Sequence, residues 1–124
     1  MNSTTFTEDE IVKAYSALGD GLMLVEDMII AAKQALEMNP EPNDALRLNE
    51  NIARLEEERH RLNAKKLAII NNSTIIKMPT AQQILEIADL RNEVAKLTAA
   101  NAQASEALVV MGKALIFAQG IDFG

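Results

Sequence analysis

A chain of 124 residues is the length of one domain, and 48% hydrophobic content is enough to build a core in it. The absence of cysteine excludes disulfide frameworks, thiolate metal sites and cysteine nucleophiles. A net charge of −6 argues against a nucleic-acid partner, which needs a positive face with enough Lys and Arg to displace counterions.

Aromatic residues make up only 3% of the chain, whereas Ala, Leu, Ile and Glu dominate, and this composition favours helices over sheets. The first residues, Met1–Thr7, are polar and lead into Glu8, Asp9 and Glu10, the reverse of a secretory signal. The longest apolar stretch, Ala107–Ala118, contains Gly112 and Lys113 and falls short of the roughly 20 residues that span a bilayer. A cytoplasmic protein without a membrane span is the expectation.

The first helix is expected over 7–39. Thr7 and Glu10 form a capping box, and Phe6 is placed to staple onto Ile11. Ile11, Tyr15, Leu18, Leu22, Val25, Ile29, Ala32 and Leu36 then recur at alternating spacings of four and three, the seam of a helix packed lengthwise on another. Pro40 and Pro42 end it.

A second helix is expected over 43–71, capped by Asn43 or Asp44 and carrying Leu48, Ile52, Leu55, Leu62 and Ile69 on one face. Arg59 and Lys66 interrupt that face. Glu50–Arg54, Arg54–Glu58 and Glu57–Arg61 are spaced for ion pairs along the helix. The connector Asn71–Pro79 is apolar enough to fold over the core.

Thr80 and Gln83 form a second capping box and open a helix expected over 80–119. Its seam is Ile87, Leu90, Val94, Leu97, Asn101, Ala104, Leu108, Met111, Leu115 and Ala118, and it should close at Gly120 with Ile116 and Ile121 in contact across a Schellman-type cap. Short connections make the three segments neighbours, so residues 1–124 are expected to form one all-α domain. Its architecture is an antiparallel up-down-up three-helix bundle with long helices, associating into a larger helical assembly.

Candidate chemistry is sparse. Glu57 and His60 have the Glu-x-x-His spacing of helical di-metal sites, but such sites need two histidines and the chain has one. Gly19-Asp20-Gly21 lacks the strand before it and the Lys-Ser/Thr after it that a phosphate loop requires; the glycines more plausibly allow a kink or the close approach of a neighbouring helix. Arg59, His60, Arg61, Lys65 and Lys66 form a basic cluster, diluted by Glu56, Glu57 and Glu58, that is more simply a solvated face than a phosphate site. No catalytic residue, metal site or cofactor site is expected. Met23, Met28, Met38, Met78 and Met111 suit either core filling or an adaptable surface.

Two features suggest binding. Asn101 interrupts an apolar seam, where it either fixes register and oligomeric state or is satisfied within one chain. A second stripe on the first helix, Leu24, Met28, Ala31, Ala35 and Met38, widens its apolar arc to about 160°, against the roughly 100° a surface helix needs. Val109, Val110, Ile116 and Phe117 widen the last segment in the same way, and in an up-down-up bundle the two wide segments fall at one apolar end, beside Leu46 and the Pro40/Pro42 turn.

The expected partner interface is therefore Leu24, Met28, Met38, Val109, Val110 and Phe117. The function expected is a non-catalytic acidic module that self-associates as a homo-oligomer, or that binds and neutralises a protein partner in the manner of an inhibitor or immunity protein. The alternatives are a membrane-associated helical protein whose apolar end inserts, and a structural or chaperone-like adaptor.

Overall fold

The computed structural model describes residues 7–71 and 78–121 and folds them into α1 (Glu8–Leu36), α2 (Pro42–Ile70), α3 (Ala81–Ala100) and α4 (Ala104–Gly120). The all-helical class holds, and the described residues contain no strand. The three-helix arrangement does not: the segment expected as one helix over 80–119 is two helices folded back on each other, which makes four.

The helix starts follow local chemistry. At α1 the Glu10 amide donates to Thr7 Oγ1 at 3.2 Å and the Thr7 amide to Glu10 Oε1 at 3.0 Å, completing the capping box. At α3 the Gln83 amide donates to Thr80 Oγ1 at 3.0 Å and the Thr80 amide to Gln83 Oε1 at 2.8 Å. The expected Phe6 staple lies outside the described residues, as does 72–77 of the Asn71–Pro79 connector, whose Met78 packs against the core. Neither Asn43 nor Asp44 caps α2. The helix begins at Pro42, whose fixed φ and missing N–H suit the first helical position, after Glu41, which makes no side-chain cap.

The break after α3 is a Schellman motif built on asparagine. Asn101 adopts φ 50° and ψ 53°, the left-handed region. The Ala102 amide reaches back to Leu97 O at 3.0 Å and the Asn101 amide to Thr98 O at 3.4 Å, as this motif requires. Gln34 of α1 secures the turn, its Nε2 donating to Thr98 O at 3.3 Å and to Asn101 Oδ1. Asn101 is exposed and lies outside the buried seam, so its expected place among apolar neighbours is corrected: it ends a helix by tolerating a backbone conformation that β-branched and bulky residues resist.

Interhelix contacts fix the topology. Arg91 of α3 pairs with Asp20 of α1 at 3.4 Å, and together with the Gln34 contacts this sets α3 parallel to α1. Lys113 of α4 meets Glu93 of α3 at 3.1 Å, so that α4 runs back antiparallel to α3. α1 packs on all three other helices, α4 also packs on α2 and α3, and α2 does not meet α3. The chain runs up, down, up, down.

The core is continuous from Ala14 of α1 to Ile121, and no polar or charged side chain of the described residues is buried in it. Ile121 crosses over Gly21, where an added Cβ would stand 2.9 Å from its Cδ1, so one glycine of the Gly19-Asp20-Gly21 segment serves the close approach expected of it. The cap expected at Gly120 is replaced. No described glycine has positive φ, Ile116 is exposed while Ile121 is buried, and Arg61 of α2 donates instead to Ala118 O and, at 3.1 Å, to Ile121 O.

Asn101→Gly should leave stability within a few tenths of a kcal/mol, whereas Asn101→Leu should cost about 1–2 kcal/mol by placing a bulky residue in the left-handed region. Urea unfolding of both variants measures the difference. A leucine that stabilises the protein would mean that α3 and α4 are one helix.

Candidate protein-interaction surface

Residues expected to face a partner are distributed between interior and surface. Leu24 and Met28 are completely buried, both at 0% exposure, and Val110 is buried as well. The physical reason is the break at Asn101: both α3 and α4 pack on α1 where one helix was expected, and the buried arc of α1 takes in Leu24, Met28, Ala31 and Ala35 of the second stripe. These three positions are corrected from interface to core. Met38 and Val109 are exposed, and Phe117 is half-buried against the core. The structure does not gather the six into one patch.

What remains outside shares only Met38 and Val109 with the expected set. Val12, Met23 and Ile30 point outward from α1, Leu46, Leu67 and Ile70 from α2, Ile84 and Leu85 from α3, and Val109 and Ile116 from α4. The sequence carried a signal for part of this. Val12 and Ile30 are 18 residues apart, five full turns and hence the same azimuth, and Val109 and Ile116 are 7 apart. Val12 and Ile30 lie off the seam, so a search for the core passes over them, whereas Val109 and Ile116 already stood out as widening the last segment.

Two grooves flank α3. On its α1 side, Asp9, Val12, Lys13, Ser16, Asp20, Ile84 and Ile87 line a hollow of about 460 Å³, and further along Asp27, Ile30, Val94, Ala95, Thr98 and Ala99 line another of about 440 Å³. The Asp20–Arg91 pair spans the helices between them. On its α4 side, Glu86, Asp89, Leu90, Glu93, Lys113, Ile116 and Phe117 line a groove of about 370 Å³. Each volume is in the range of small-ligand or side-chain sites. A further hollow at the α1–α2 turn, of about 270 Å³, is lined by Met38, Asn39, Glu41, Asp44, Gln103 and Ser105 and is mostly polar.

The basic cluster of α2 is partly spent on the fold. Arg61 binds the end of α4 while its Nε donates to Glu58 Oε1 at 2.8 Å, in place of the Glu57 pairing that four-residue spacing suggested. Lys66 stands 5.0 Å from the centroid of the Tyr15 ring, within cation–π range. Among the described residues no three His, Asp or Glu side chains converge to hold a metal ion, and no helix is long and apolar enough to cross a membrane. No family profile matches the chain, and no curated protein or solved structure matches it.

Burial divides the former interface candidates into two experimental classes. Leu24→Ala and Met28→Ala should each cost about 2–5 kcal/mol, the range for truncating a core side chain. Val109→Ala, at a position 61% exposed, should change stability by less than about 0.5 kcal/mol. Thermal and urea unfolding of the three variants separates core from surface, and a silent Leu24→Ala would return that residue to the surface.

Proposed function

We propose that this protein is a non-catalytic interaction module, an acidic four-helix bundle that binds a protein partner through grooves beside α3. The observation that carries this reading is the exposure of Val12, Ile30, Ile84 and Ile116, which line grooves beside α3, on a bundle whose core is already filled by its own side chains. Each such side chain left in water forgoes about 1.5–3 kcal/mol of burial, a cost a partner's surface would offset.

Apolar side chains in a groove bounded by charge resemble the apolar centre and polar rim of a protein interface. The net charge of −6 would attract a basic partner over a distance and speed its encounter. Neutralisation of a basic protein, as an inhibitor or immunity protein does, is the specific form of the reading that this charge favours. Self-association is the second form, supported by the outward Val109–Ile116 pair on α4. Insertion into a membrane has less support, because the exposed apolar residues are spread over several faces with carboxylates between them.

Ile30→Glu and Ile116→Glu should both fold with the parent's helix content and melting temperature, since neither side chain is part of the core. At least one should lose binding that the parent has. Light scattering across a range of concentrations reads self-association, and cross-linking in an extract of the source cells reads a foreign partner. A parent that stays monomeric throughout, and that captures nothing the two variants fail to capture, would sink the interaction reading.

A further inference from the structure

The groove between α3 and α4 carries a row of three carboxylates, two of them without a basic partner among the described residues, beside its most exposed apolar residue. Glu86, Asp89 and Glu93 are spaced three and four apart and so share one face of α3. Lys113 is the basic residue that lines the groove, and it is committed to Glu93 at 3.1 Å. Among the described residues no basic side chain pairs with Glu86 or Asp89. Beside this row lie Leu90, half-buried Phe117 and Ile116, which at 74% is the most exposed large hydrophobic side chain among the described residues.

The α1–α3 groove differs in charge. There Asp20 is answered by Arg91 and Lys13 lines the same hollow as Asp9, so that Asp27, farther along, is the carboxylate left over.

The chemistry of the α3–α4 groove selects its occupant. An anionic membrane, a nucleic acid or an acidic segment would set like charge against Glu86 and Asp89. A second copy docked groove to groove would do the same, because its own three carboxylates would face these. A basic segment is favoured on both counts, charge and apolar contact. The spacing favours a helix over an extended strand: the carboxylates recur about once per 5.4 Å turn, the repeat at which a helix presents side chains, whereas a strand presents same-face side chains about every 6.6–6.8 Å.

We propose that the α3–α4 groove docks a basic amphipathic helix of a partner protein. A large apolar side chain of that helix would seat on Leu90, Ile116 and Phe117, with Lys or Arg side chains set against Glu86 and Asp89. The proposal rests on the interaction-module reading and assigns it a site and a partner chemistry. The arrangement is a helix laid in a groove, anchored by apolar contact and oriented by charge.

The test uses the full chain and a synthetic amphipathic helix of about 18 residues, Lys on one face and Leu on the other, with one Trp on the apolar face. The protein has no Trp, so Trp fluorescence reports the peptide alone. The parent should bind with a blue shift, and a peptide of the same pattern with Glu for Lys should not bind. Two groove variants, Ile116→Ser and the double variant Glu86→Gln/Asp89→Asn, should each weaken binding by about tenfold or more, the loss expected at a central contact. All three residues are exposed, so circular dichroism and melting should stay at parent values.

Two controls locate the effect. Glu50→Gln/Glu57→Gln removes the same charge from the exposed face of α2, and Ile30→Ser removes an apolar side chain from the α1–α3 groove; both should leave binding within about twofold. Equal weakening by the α2 double variant would mean diffuse attraction to an acidic protein and would overturn the proposal. Loss of binding with Ile30→Ser but not with Ile116→Ser would place the helix on the other side of α3, ending this proposal while leaving the interaction module intact. No binding of the Lys/Leu helix to the parent would also overturn it, whereas the module reading fails only on its own mass and cross-linking measurements.

Discussion

Half of the circumference of α1 is apolar, and the rest of the bundle is arranged to cover it. Ala14, Ala17, Leu18, Gly21, Leu22, Leu24, Val25, Met28, Ile29, Ala31, Ala32 and Ala35 are all buried, an arc far wider than one neighbouring helix can shield. α1 accordingly touches every other helix, while α2 and α3 sit on opposite flanks and do not touch. The middle of the arc carries the small residues Ala14, Gly21 and Ala32, Gly21 lying under Ile121, and α4 buries small residues of its own, Ala104, Ala107, Ala114 and Ala118. Small side chains let helix axes approach toward the lower end of the usual 8–10 Å. Large residues such as Leu24, Met28 and Met111 fill the space between.

Getting α4 onto α1 requires a reversal of direction and a secured far end, and polar groups supply both. Asn101 reverses the chain in three residues and Gln34 holds the turn to α1. At the other end Arg61, itself held by Glu58, takes the carbonyls that a helix C-terminus leaves without intrahelical partners. A cation at that end also meets the negative pole of the helix dipole. Since no polar side chain is buried among the described residues, the pairing of helices depends on the fit of small against large side chains within, with these polar clamps at the margin.

Much of this was legible because it is written locally. Both capping boxes, the stop before Pro40 and the five buried residues of α2 follow from residue types a few positions apart. The fourth helix was hidden because Leu97, Asn101, Ala104 and Leu108 keep the four-and-three rhythm across the turn. A period records which residues are inside and is silent on whether the chain has reversed between them. The only local mark was an asparagine in an apolar seam, which suits a register-setting contact as well as a left-handed helix end.

The misplaced interface followed from the hidden helix. With three helices counted, Leu24 and Met28 had no cover and pointed to a second molecule; with four, the chain covers them itself. The surplus that survives keeps Met38 and Val109 and otherwise sits elsewhere, on positions such as Ile30 and Ile116 that no seam includes.

The grooves beside α3 have a mechanical cause. α3 is the helix with least support: like α2 it meets α1 and α4 alone, but it packs on them less extensively, and among its residues only Ile87, Leu90, Val94 and Leu97 are buried. A helix held on one narrow stripe leaves an open groove on each flank, and both grooves here are lined by apolar residues of the helices on either side. α1 has no such freedom, because its arc is already occupied. A ligand in either groove therefore adds a contact to the element that has fewest of its own, and its binding energy would appear partly as greater local stability of α3. In this fold the grooves lie beside the least stabilised helix, because α1 and α4 packing on each other in the middle of the bundle leaves α3 at its flank.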